Sequence, residues 1–143
     1  MGYAVPAAMG AKVGAPDRTV WAIDGDGCFQ MTNQELVTCA LNNIPIKVAV
    51  INNESLGMVR QWQQLFHERR YSFVDIDSPD FVMVAKGYGI AGSSVSARGE
   101  LRGALKAMLE HNGSYLLEVH TGKENNVFPM VPQGCGVAEI RLK

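Results

Sequence analysis

The sequence predicts an α/β fold, a parallel β-sheet with helices on both faces. Three observations point there. Short runs such as Ile46-Lys47-Val48-Ala49-Val50-Ile51 are β-branched and nearly continuous in apolar character, which suits strands covered on two sides. These runs alternate with segments of helical pattern from Thr19 to Thr121. Glycine- and asparagine-rich clusters directly follow the first two runs, where the loops of an open parallel sheet belong.

The elements follow in order. Pro6 opens a helix that Gly14-Ala15-Pro16 closes, with Ala7, Ala8, Met9 and Ala11 between them. Thr19–Ile23 is the first strand. Thr32 and Glu35 stand at capping-box spacing before Leu36, Val37, Cys39, Ala40 and Leu41, which predicts a helix starting near Thr32. Ile46–Ile51 is the second strand, bounded by Pro45 and Asn52. Leu56–Phe66 is helical in pattern. Ser78 is expected to cap a short helix running from Pro79 to about Gly87. Ile90–Val95 is a weaker third strand. Leu101–His111 is a helix ended by Asn112-Gly113, and Tyr115–Val119 is the fourth strand. The order α-β-α-β-α-α-β-α-β implies right-handed crossovers between parallel strands. Residues 1–143 read as a single domain, with 122–143 an irregular tail over the surface.

Composition excludes several classes. The 13 Lys+Arg against 14 Asp+Glu leave a net charge of −1, which argues against nucleic acid as a partner. No apolar run reaches the ~18 residues of a membrane span, so no membrane partner is expected. The cysteines, Cys28, Cys39 and Cys135, are odd in number and lack CxxC spacing, which reads as reduced thiols in a cytoplasmic compartment without a zinc or iron–sulfur site. Met1 to Pro6 is small and apolar without a basic region before it, unlike a secretory signal, and is expected to be interior to something longer.

The chemistry is expected at Asp24-Gly25-Asp26-Gly27-Cys28-Phe29-Gln30 and at Asn52-Asn53-Glu54-Ser55, each directly after a strand. Two glycines beside Asp26 allow a bulky anion near the backbone, and the N-terminus of the helix near Thr32 favours phosphate. Asp26 offers a hard anionic oxygen and Asn53 a neutral one. Magnesium held by one carboxylate plus substrate phosphates suits that set. Other readings compete. Asp-Gly is a common hairpin turn, although a helical pattern follows rather than a returning strand. Asp24, Asp26 and Glu35 fall at EF-hand positions one, three and twelve, but Cys28 and Phe29 occupy positions five and six. Asn52 and Asn53 alone read as turn formers. Glu35 reads as a helix cap, and His67, His111 and His120 as structural or solvated, with no partner at catalytic spacing.

Gly25-Asp26-Gly27, with Asn52-Asn53 placing Asn53 27 residues after Asp26, resembles the thiamine-diphosphate motif. The flanking residues Met1-Gly2-Tyr3-Ala4-Val5-Pro6-Ala7-Ala8, Phe29-Gln30-Met31, Gln34-Glu35-Leu36, Glu54-Ser55-Leu56-Gly57-Met58-Val59-Arg60-Gln61-Trp62-Gln63, Arg70-Tyr71-Ser72, Ser78-Pro79-Asp80-Phe81 and Phe128-Pro129-Met130-Val131 resemble the catalytic subunits of the acetolactate synthase (acetohydroxyacid synthase) family. The resemblance covers nearly the whole chain, but only the C-terminal, diphosphate-binding domain of that family.

The resemblance implies roles. Asp26, Asn53 and the Ser55 carbonyl would hold Mg2+. Gly25 and the backbone of Gly27, Cys28, Gly57 and Met58 would cradle thiamine diphosphate, and Met1 would support its bend. Met58 and Trp62 would line the substrate channel, although from the residues alone they read as a core filler and a packed aromatic. The implied activity decarboxylates pyruvate and joins the remainder to a second pyruvate or to 2-oxobutyrate, in branched-chain amino acid synthesis. An aminopyrimidine-binding domain or subunit carrying the activating glutamate would be the partner, in a homo-oligomer, with FAD expected in the full-length enzyme only. No catalytic residue is assigned within the chain, which is expected to be inactive alone. Two alternatives stand: the diphosphate-binding subunit of another split thiamine-diphosphate enzyme acting on 2-oxo acids, and a non-catalytic fragment that only assembles with partners.

Overall fold

A computed structural model describes residues 1–142. The elements are α1 (Ala4–Gly14), β1 (Trp21–Gly25), α2 (Asp26–Phe29), α3 (Glu35–Leu41), β2 (Lys47–Asn52), α4 (Gly57–Phe66), α5 (Phe81–Gly87), β3 (Ala91–Val95), α6 (Leu101–Glu110), β4 (Tyr115–His120) and a 3-10 turn at Val137–Glu139. The strands form one parallel sheet in the order β1-β2-β4-β3. Each strand foreseen in the sequence is present. Lys143 of the expected tail lies outside the described residues.

The two central strands explain the continuous apolar runs. Val48, Ala49 and Val50 on β2, with Leu116 and Leu117 on β4, are buried on both faces. One face packs against α1, α2, α3 and α5 through Val5, Ala8, Phe29, Leu36, Cys39, Phe81 and Ala85. The other is covered by α6 through Leu101, Ala104, Leu105 and Met108, which pack with Leu117 and Val95. Helices therefore lie on both faces, but unequally, and Ile23 on β1 is 68 % exposed. At the amino-terminal end of β2, buried Lys47 donates its Nζ to the carbonyls of His111 and Gly113, which follow the last turn of α6. A cation there complements the helix dipole, while burial, with a smaller contribution from Lys12, pushes its pKa down.

Two local expectations are corrected. The capping box at Thr32 and Glu35 does not form. The chain enters α2 at Asp26, and residues 30–34 continue in turns bonded by their own backbone, such as Thr32 N–H to the Phe29 carbonyl. With Gln34 already helical at the start of α3, the Glu35 N–H donates to the Thr32 carbonyl, and among the described residues the buried Thr32 hydroxyl has no partner. Ser78 does not cap α5. Asp80 does, its Oδ1 accepting from Met83 N–H at 2.8 Å. Residues 121–142 hold the 3-10 turn and an isolated antiparallel bridge between Met130 and Arg141.

The tail is tied to α4 by polar side chains. Buried Gln61 donates Nε2 to the Val127 carbonyl at 3.0 Å and accepts from Val127 N–H at 2.7 Å, as a neighbouring strand would. Arg60 meets Glu124 at 2.6 Å and lies over the Tyr71 ring. The cysteines are all free, as expected. Burial pushes the Cys39 thiol up to about 11, which keeps it a protonated core group. Among the described residues no helix is long and apolar enough to cross a membrane.

Candidate functional site

The register of the sheet builds the site. Gly25, the last residue of β1, lies opposite Ile51 of β2. The next residues of both strands therefore emerge side by side at the carboxyl edge, Asp26 from one and Asn52-Asn53 from the other. Asp26 is 2 % exposed. Its Oδ1 accepts from Gly27 N–H at 2.9 Å and its Oδ2 from the Ser78 hydroxyl at 3.3 Å. Among the described residues no Lys, Arg or His forms an ion pair with it. A buried carboxylate held only by neutral donors is costly, and a bound cation offsets that cost.

The β2–α4 turn brings the second group of residues. The Asn52 carboxamide oxygen accepts from Glu54 N–H at 3.0 Å, and that of Asn53 accepts from Ser55 N–H at 3.1 Å. Glu54 is held at φ +51°, in the left-handed region. Ser55 is buried, and its hydroxyl donates to the Val74 carbonyl at 3.0 Å. Among the described residues no backbone N–H donates to the Ser55 carbonyl, which leaves that oxygen available to a ligand. Helix α4 then starts at Gly57 without a side-chain cap. The first-turn N–H groups of Gly57 and Met58 therefore have no intrahelical partner. A Cβ at Gly57 would stand 3.2 Å from Asn53 Nδ2, so glycine permits this close approach.

The helix that faces the site is α2, which opens at Asp26, and not the one expected near Thr32. The two glycines differ in role. Gly25 has open space where a side chain would begin. A Cβ on Gly27 would meet Leu56 Cδ2 at 3.1 Å and Ile76 Cδ1 at 3.2 Å. Gly27 therefore lets the start of α2 pack against the residue that precedes α4, and its own N–H is engaged by Asp26. Cys28 lies one residue further along α2, partly exposed.

Other expected residues lie farther out. Met1 is 78 % exposed and precedes Gly2, which packs on Met31 and Thr32 just beyond α2. Burial raises the Asp24 pKa, and the Gly25 N–H opposes this. Met58 and Trp62 stand one turn apart on α4. Met58 is 52 % exposed, and Trp62 leans on Phe66 with ring centroids 5.3 Å apart.

Sequence reasoning missed three features. Ser78 was expected to cap a helix, but it reaches Asp26 across 52 positions, and nothing local signals that contact. His120 does have partners, Ser94 Oγ at 3.1 Å and Glu118 Oε2 at 3.6 Å. Glu118 is buried beside Asn52, and its signal was a lone charge inside Leu116-Leu117-Glu118-Val119.

The residues present suit a magnesium diphosphate. They offer one hard carboxylate, neutral oxygens beside it, and uncapped helix N–H groups for the phosphates. Among the described residues no three His, Cys, Asp or Glu side chains converge, which a site completed by a ligand's phosphates does not require.

Comparison with known proteins agrees. Residues 1–119 match the family described as "Thiamine pyrophosphate enzyme, C-terminal TPP binding domain". The chain is 50% identical to the acetolactate synthase large subunit of Corynebacterium glutamicum, over 99% of the chain and 24% of that protein. It is 45% identical to the acetolactate synthase isozyme 2 large subunit of Escherichia coli, over 100% of the chain and 26% of that protein. Its fold is similar to that of the thiamine diphosphate-dependent 4-hydroxybenzoylformate decarboxylase of Rhodococcus jostii, with a TM-score of 0.79 and 31% identity, over 85% of the chain and 23% of that structure. The chain thus spans about a quarter of the length of these relatives. With the family match running from the first residue into β4, and with strand-end residues of the matching chemistry, the chain belongs to the thiamine pyrophosphate enzymes as an acetolactate synthase-like C-terminal TPP binding domain.

Proposed function

We propose that the chain binds thiamine diphosphate with Mg2+ as the C-terminal domain of an acetolactate synthase, a transferase that condenses pyruvate with pyruvate or 2-oxobutyrate after decarboxylation. The observation that carries this is Asp26, buried at the end of β1 with only neutral donors among the described residues and flanked by the Asn53 turn and two helix starts. Asp26, Asn53 and the Ser55 carbonyl hold the metal. Gly25, Gly27, Cys28, Gly57 and Met58 surround the diphosphate, Met1 supports the cofactor, and Met58 and Trp62 border the substrate path. When bound, thiamine diphosphate supplies the carbanion chemistry that releases carbon dioxide from a 2-oxo acid and joins the remainder to a second one. The chain's own residues bind, orient and balance charge. The activating glutamate comes from an aminopyrimidine domain or subunit, and FAD belongs to the full-length enzyme only.

The test is a titration of the purified chain. Thiamine diphosphate with Mg2+ is expected to raise its melting temperature, because a ligand that binds only the folded state stabilises it. Thiamine without the diphosphate should give no shift, and the loaded chain alone should form no acetolactate from pyruvate. Turnover above a no-protein control would overturn the half-site assignment, and absence of any shift would favour the assembly-fragment reading. The likeness to a 4-hydroxybenzoylformate decarboxylase supports a second reading, the diphosphate-binding part of another 2-oxo-acid decarboxylase. Product analysis after adding the aminopyrimidine domain separates the two.

Self-association is part of the proposal. Ile23, Tyr3, Val13 and Leu41 are large apolar side chains in water. The chain is expected to sediment as a dimer or larger species at tens of micromolar, roughly the range of moderate affinities. A clean monomer there would count against it.

A further inference from the structure

We propose that Glu118 is a positioning residue for the candidate metal site, acting through Asn52 on the β2–α4 turn. Glu118 lies in the middle of β4, between Val50 of β2 and Ser94 of β3 in register, and is 4 % exposed. A carboxylate in that place costs desolvation that an apolar residue of similar size would not. Its Oε1 accepts from Asn52 Nδ2 at 2.8 Å, a bond buried at both ends. Its Oε2 faces His120 Nε2 at 3.6 Å, and His120 also meets Ser94.

The bond to Asn52 decides which way the Asn52 carboxamide points. With Nδ2 committed to Glu118, the carboxamide oxygen faces the chain ahead and accepts from Glu54 N–H at 3.0 Å. That contact closes the turn in which Glu54 takes φ +51°. The turn in turn sets Asn53, whose oxygen accepts from Ser55 N–H, and the open Ser55 carbonyl. One buried carboxylate on β4 thereby holds the shape of a loop on β2 without touching the ligand. The metal-binding consequence rests on the function proposed above, whereas the loop consequence does not.

Four variants and two measurements test this. In Glu118→Leu, hydrogen exchange at the Glu54 and Ser55 amides should accelerate about tenfold relative to core amides such as Val48 and Leu116. The affinity for thiamine diphosphate with Mg2+ should fall about tenfold, the low end for loss of a residue that orients metal ligands. Glu118→Gln keeps an oxygen for Asn52 Nδ2 and should restore both. Should Glu118→Leu fail to fold, Asn52→Ala removes the same bond from the other side and should speed exchange at the same two amides. Unchanged loop exchange in the folded leucine or alanine variant overturns the proposal, as does a glutamine variant as impaired as the leucine one. Asp26→Ala separates this inference from the functional one: it should lose binding while the Glu54 and Ser55 amides keep wild-type exchange. If the wild-type chain binds no cofactor, the functional reading fails and the exchange measurement still decides the role of Glu118.

Discussion

Asp26→Ala is expected to abolish the magnesium-dependent thermal shift that thiamine diphosphate gives the wild-type chain. At a hundredfold excess of ligand over Kd the wild type gains about 2.7 kcal/mol, which is roughly 5–11 °C for a chain of this size. Asp26 is the only carboxylate proposed to touch the metal, and its second oxygen is held by nothing stronger than the Ser78 hydroxyl at 3.3 Å. Alanine leaves Asn53 and the Ser55 carbonyl, both neutral, to face a divalent cation. Asn53→Ala should therefore weaken binding less than Asp26→Ala, because a neutral oxygen contributes less to a hard cation than a carboxylate does. In the absence of ligand Asp26→Ala should cost little stability or even raise it, since an uncompensated buried charge is removed. That sign separates a metal ligand from a structural aspartate. Differential scanning fluorimetry with and without Mg2+ and cofactor checks both statements. A variant that keeps the full wild-type shift would sink the site assignment.

Phe81→Ala is expected to lower stability by about 3–5 kcal/mol, the usual range for a buried phenylalanine truncated to alanine. Phe81 on α5 and Phe29 on α2 are both fully buried, and their rings meet edge to face with centroids 5.3 Å apart and planes at 82°. Domains of this size hold only about 5–15 kcal/mol in all, so this single change removes a large share. The pair also fastens α2, which opens at Asp26, to α5, which follows Ser78. Weakened cofactor binding should accompany the loss of stability. Urea unfolding checks the first effect. The double variant Phe29→Ala/Phe81→Ala should show a coupling of about 0.5–1.5 kcal/mol between the rings. A loss below about 1 kcal/mol for Phe81→Ala alone would mean that the site collapses around the missing ring.

The sequence by itself determined the strands, their parallel class and the residues at their carboxyl ends. The physical reason is that these are local properties. Val48-Ala49-Val50 is apolar on both faces wherever it sits, and such a strand is stable only between layers. Asp26 and Asn53 follow their strands by one residue each, so a parallel register alone brings both to the carboxyl edge of neighbouring strands. The spacing of Gly25-Asp26-Gly27 and Asn53 was therefore readable before any coordinates.

The tertiary structure decided what depends on contacts far apart in the chain. Ser78 had the form of a helix cap, but its hydroxyl is drawn to the carboxylate of Asp26, while Asp80 has the better geometry for the free N–H at Met83. The capping box at Thr32 lost to a helical entry at Asp26, because backbone bonds through residues 30–34 satisfied the donors the box would have used. The missing side chain of Gly27 makes room for Leu56 and Ile76, residues 29 and 49 positions further along the chain. Glu118 showed only as a charge out of place in an apolar strand. Its partner Asn52 lies 66 positions away, and only the pairing of β2 with β4 brings the two within 2.8 Å.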